Sequence, residues 1–181
     1  MKVFINPGHA PNGKPDPGAV NAKTGLRESD VAAAVGNAVA QYLINAGVAV
    51  AVLQHDDLAT VCDTANTSGA DMFISIHCNA AESPAALGTE TYCYPGSMAG
   101  SALANAVQRQ IVDSLHTVDR GVKLAIPGQN GLYVLNNTSM PAILVELAFI
   151  SNDRDEQLLA NYQDAFARAI ARGVTDYQMV Q

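Results

Sequence analysis

Positive charge is scarce in this chain: 10 Lys plus Arg stand against 17 Asp plus Glu, a net charge of −7 at pH 7. A surface so poor in cations is ill suited to gripping phosphates, so no nucleic-acid partner is expected. Charge of either sign is sparse, at 15% of residues against 49% hydrophobic, which excludes long disordered stretches. No apolar run reaches the roughly 20 residues that a bilayer-spanning helix needs, so no membrane insertion is expected. Cysteine occurs 3 times, at Cys62, Cys78 and Cys93, an odd number with no close-spaced pair. That argues against a disulfide framework and against a zinc–thiolate knuckle; small buried hydrophobes are the expectation. Nor is there room for a signal peptide before the apolar run at Val3. On that reading the chain stays cytoplasmic until released, or is exported by another route.

What is present is an alternation of apolar strands and amphipathic helices. At 181 residues one domain is expected, over residues 1–176, with 177–181 as a C-terminal tail and a monomer as the working state. Three short apolar runs read as strands buried on both faces: Lys2–Asn6, Met72–Ile76 and Ala142–Val145. Val48–Leu53 is a fourth strand, and Thr89–Tyr94, alternating and rich in β-formers, a fifth, placed at an edge. Helices are expected from Glu28 to a stop at Gly47, over Leu58–Ser68, through Leu103, Val107, Ile111 and Leu115, and from Asp153 to about Asp176. His9–Gly25 and His116–Asn130 read as loops, the first crowded with Gly and Pro. The fold class is therefore α/β: a single-domain sandwich with a mostly parallel central sheet flanked by helices.

The buried strands end in chemistry. The first runs into Asn6-Pro7-Gly8-His9, the next into His77, and the last into Glu146. In open α/β sheets ligands bind at the carboxyl ends of strands. One strand-end histidine is an ordinary core residue, but three such groups at one end point to a shared site. Glu28, in the first turn of its helix, projects toward the same place. Two histidines and a glutamate are a usual ligand set for a catalytic zinc. His9, Glu28 and His77 fit that set by residue type, although they are too far apart in sequence to form a short metal motif. Glu146 stands beside apolar neighbours, where an idle charge is costly, and is the candidate general acid and base. Arg120, Lys123 and Asn79 are the candidates for holding substrate. His55 and His116 lie in polar surroundings and read as surface residues.

These residues occur within a recognisable series. Asn6-Pro7-Gly8-His9, Asp16-Pro17-Gly18-Ala19, Glu28, Ser75-Ile76-His77-Cys78-Asn79-Ala80, Asp119-Arg120-Gly121-Val122-Lys123 and the run Met140 to Asn152 stand in order along nearly the whole chain. The series resembles the zinc-dependent N-acetylmuramoyl-L-alanine amidases of the amidase-3 type. The resemblance implies a zinc-peptidase-like fold, one zinc ion on His9, Glu28 and His77, and a catalytic Glu146. It also implies a peptidoglycan substrate, cut between the lactyl group of N-acetylmuramic acid and L-alanine of the stem peptide. Two departures are small: Ala10-Pro11 follows the first histidine where a second glycine is common, and Cys78 replaces a small residue. The loops from Asn79 to Leu87 and Pro95 to Ala99 are too short for the blocking helix of division-associated members. An open site, as in endolysins or autolysins, is the expectation. The rivals are a zinc carboxypeptidase acting on wall peptides, which would use Arg120 or Arg27 for a terminal carboxylate, and a wall-binding module that does not cleave.

Overall fold

The computed structural model describes residues 1–130 and 132–180. Its centre is a six-stranded sheet in the order β2-β1-β3-β6-β4-β5. The strands are β1 (Lys2–Pro7), β2 (Ala49–Val52), β3 (Met72–Asn79), β4 (Thr89–Cys93), β5 (Asp119–Leu124) and β6 (Ala142–Phe149). β2, β1, β3 and β6 run parallel; β4 runs antiparallel to β6, and β5 runs parallel to β4. The helices are α1 (Glu28–Asn45), α2 (Leu58–Thr67), α3 (Met98–Leu115), α4 (Tyr133–Asn137), α5 (Asp153–Asn161) and α6 (Gln163–Met179).

Strand side chains alternate between faces, and the two faces carry different loads. Val3, Ile5, Ile74, Ile76, Ile143, Val145 and Leu147 point into a large core closed by α1, α3 and α6. Phe4, Phe73, Ala142 and Leu144 point the other way, into a smaller core with Val61 of α2 and Val134 and Leu135 of α4. α2 has 10 residues and α4 only 5, so the cover on this second face is short. His77 and Glu146 belong by alternation to the same face as Phe73 and Leu144. Both are only partly buried.

Several expectations need correction. His116–Asn130 is not all loop, because Asp119–Leu124 forms β5, the edge strand, and β4 lies inside the sheet. Asp119, Arg120, Gly121 and Lys123 hide that strand in the sequence, and charge on an edge strand is how a sheet guards its open side. Before Pro141 the chain makes a short helical turn, Tyr133–Asn137. The last helical region breaks at Tyr162 and then continues to Met179 with Tyr177 buried, so 177–179 are helix and not tail; Gln181 lies outside the described residues. β3 and β6 also run past His77 and Glu146, to Asn79 and Phe149. The three cysteines are free and buried, as expected. No helix of the described residues is long and apolar enough to cross a membrane.

Candidate functional site

Parallel pairing puts the key groups in one row. His77 of β3 stands beside Glu146 of β6, and Glu146 stands opposite Glu90 of β4. On the other flank β1 pairs Pro7 with Ile76, which brings Gly8 and His9 alongside His77. The row crosses the sheet on the lightly covered face, near the carboxyl ends of β1, β3 and β6. Glu28 is delivered from above by the first turn of α1, its backbone N–H bonded to the Ala19 carbonyl at 2.9 Å.

His9, Glu28 and His77 form a group whose ligating atoms all lie within 4.8 Å of one another. His9 Nε2 is 3.0 Å and His77 Nδ1 is 2.9 Å from Glu28 Oε1. The two imidazoles thus present different nitrogens to the same point. Glu28 is 5% exposed, and its Oε1 accepts the Cys78 N–H and its Oε2 the Ala19 N–H, each at 2.9 Å. The far nitrogen of His9, Nδ1, is 2.7 Å from Asp16 Oδ2, while Asp16 Oδ1 accepts the Gly18 N–H. A carboxylate behind a ligating histidine fixes its tautomer and ring orientation. His9 itself holds φ +66°, left-handed backbone that a non-glycine residue adopts only under constraint.

Two glycines make room for the rings. A Cβ on Gly8 would collide with the His77 ring; a Cβ on Gly18 would lie 2.7 Å from His9 Nε2 and from Glu28 Oε2. The backbone therefore approaches all three groups more closely than any other residue would permit.

The electrostatics follow from this packing. Burial works against ionising Glu28, yet hydrogen bonds and charge from His77 and His9 hold its carboxyl well below the usual range. Burial depresses His9, but Glu28 and then Asp16 outweigh it and raise the imidazole to about 9. Glu146 moves the other way: burial above all, with the charges of Glu28 and Glu90 adding and those of His77 and His9 opposing, pushes it up to about 7. Its Oε2 is shielded from solvent with no hydrogen-bond partner among the described residues. A carboxyl with an unused oxygen beside a group able to hold a metal is equipped to move protons.

The structure brings His9, Glu28, His77 and Glu146 together. Asn79 and Arg120 also reach the row, through a residue the sequence reading passed over, Glu90. Asn79 Nδ2 donates to Glu90 Oε1 at 2.8 Å and Arg120 Nε to Glu90 Oε2 at 2.8 Å. Lys123, in register with Tyr92 on the same face, is exposed. His55 and His116 stand apart from the group, as surface residues. Asp16 and Glu90 had no assigned role in sequence. The available signal for Glu90 was one charge in an otherwise alternating strand; for Asp16 it was position alone, inside the loop that follows His9.

The sequence pattern of the family described as N-acetylmuramoyl-L-alanine amidase matches residues 3–176. The amidase LytC of Bacillus subtilis is 37% identical over 97% of this chain, and YqiI of the same organism is 38% identical over 97%. The chain spans 84% of YqiI but only 35% of LytC. An N-acetylmuramoyl-L-alanine amidase of Clostridium difficile 630 superposes with a TM-score of 0.89 and 34% identity, covering 99% of this chain and 97% of that one.

Proposed function

The chain belongs to the N-acetylmuramoyl-L-alanine amidase family, and from that premise we propose that its row of side chains hydrolyses the amide joining the lactyl group of N-acetylmuramic acid to L-alanine of the stem peptide. His9, Glu28 and His77 are the residues that would hold one zinc ion. Their fit rests on the observed cluster: two imidazole nitrogens and a carboxylate oxygen turned onto one another, with ligating atoms within 4.8 Å. When bound, zinc supplies a Lewis acid for the carbonyl and brings the pKa of water toward ~7.

The chain's own residues do the rest. Glu28 is fixed by two backbone N–H groups and His9 by Asp16, so the ligands need little rearrangement. Glu146 takes the proton of the attacking water and returns it to the amine nitrogen of L-alanine. A proton affinity of about 7 suits a group that must do both near neutral pH. Arg120 of β5 lies beyond Glu146, where the stem peptide is to lie, with Lys123 further along β5, while Asn79 reaches Glu90 from β3.

The observation that carries this reading is the shared row of His77, Glu146 and Glu90 beside a three-residue group able to hold a metal. The test is mass spectrometry of products from purified muropeptides, with chelator and after zinc is restored. Whole stem peptides released only when zinc is present are the expected result. Release of single amino acids would instead indicate a carboxypeptidase, which the comparisons do not favour. Zinc-independent cleavage would overturn the ligand assignment.

A further inference from the structure

Glu90 is buried, 4% exposed, yet sits in a strand next to the site and has no part in holding a metal. Three donors converge on it: Asn79 Nδ2 at 2.8 Å and the Tyr92 hydroxyl at 3.0 Å on Oε1, and Arg120 Nε at 2.8 Å on Oε2. A structural reason for burying a carboxylate here is weak, because an apolar residue would fill the place without a desolvation cost. What Glu90 does achieve is to orient Arg120. With Nε tied to Glu90, the guanidinium lies over the Phe149 ring, its Cζ 4.8 Å from the centroid. One face is then covered by an aromatic ring and one edge by a carboxylate. Nη1 makes only a long 3.5 Å contact with the Leu87 carbonyl, and Nη2 has no hydrogen-bond partner among the described residues. The terminal nitrogens of a half-exposed arginine are left pointing away from its anchor, and their fork matches a carboxylate.

We propose that Glu90 is a positioning residue that locks Arg120 as a pre-oriented clamp for a free carboxylate on the stem peptide, making the pair a specificity determinant. This rests on the amidase reading above. An arginine restrained in this way loses little side-chain freedom on binding, so its hydrogen bonds to substrate are fully available for affinity. Glu90 touches no reacting atom; its effect passes through Arg120.

The test compares two muropeptides of the same tripeptide stem, one with free carboxylates and one with them amidated. The parent is expected to prefer the free acid by on the order of ten-fold in kcat/KM, mainly through KM, as suits hydrogen bonds to a charged group. Arg120→Ala should collapse that preference toward one, and the isosteric Glu90→Gln should lower it. In the Arg120→Ala background, Glu90→Gln should lower it no further. Circular dichroism and bound zinc report separately that each variant is folded and loaded. A parent without preference, a Glu90→Gln enzyme that keeps the full preference, or equal loss of kcat on both substrates would overturn the clamp. If the parent cuts neither muropeptide, it is the amidase reading that fails.

Discussion

Glu146→Gln in metal-free protein, kept in chelator, tests whether the site's burial has the electrostatic consequence described. The folded chain holds the Glu146 proton more tightly than the unfolded chain, because burial and the charges of Glu28 and Glu90 raise it from 4.5 to about 7. Its stabilising contribution is therefore fully present below about pH 4.5 and is lost as pH rises through about 7. Each tenfold change in proton affinity is about 1.4 kcal/mol, so the ionised side chain costs the parent up to about 3.5 kcal/mol at high pH. That is a ceiling, since the residue is only partly buried. Glutamine has the same shape and no proton to lose. Measured by urea unfolding between about pH 4 and pH 9, Glu146→Gln should gain on the parent by up to about 3.5 kcal/mol as the pH rises. Subtracting the two curves isolates Glu146 together with its coupling to Glu28, Glu90, His77 and His9. Parallel curves over the whole range would refute the reasoning: Glu146 would then be as well solvated in the fold as out of it.

The same replacement should lower turnover by on the order of 10²–10⁴-fold while leaving bound zinc unchanged, measured by elemental analysis and steady-state kinetics. Asp16→Ala should weaken zinc binding by roughly 10–100-fold in a chelator competition, because His9 loses the carboxylate that orients it. Gly8→Ala should displace the His77 ring and lower zinc content without unfolding the chain, whereas His55→Ala should leave zinc content as it was. Phe73→Ala, which removes a fully buried ring stacked 5.7 Å from Phe4, should cost about 3–5 kcal/mol in denaturant unfolding.

The sequence made the parallel core legible because its strands are continuous apolar runs, and those runs stop at His9, His77 and Glu146. Glu28 was legible because the helical pattern begins with it. β5 was not, since a strand that pairs on one side only and carries Asp119, Arg120 and Lys123 has no apolar signature. Missing β5 also hid why β4 is interior and why Glu90 is buried. Asp16 could be quoted as part of a motif, but its bond to His9 depends on the fold of an irregular loop, which residue periodicity does not encode. Strand direction was a further gap: nothing in Thr89–Cys93 says that it runs against β6 and so sets Glu90 opposite Glu146.

The row across the sheet also sets a measure of length. Neighbouring strands lie about 4.8 Å apart, and Arg120 folds back from β5 onto Glu90 of β4 and the Phe149 ring of β6, so its guanidinium stands close to the row and not out at β5. An extended peptide advances about 3.3–3.6 Å per residue. If the scissile amide lies at Glu146 and Arg120 grips the stem as proposed, the carboxylate it reaches is expected within about one or two residues of the cut. On that proposal the register in which the stem is held is set by how far one side chain folds back across hydrogen-bonded strands.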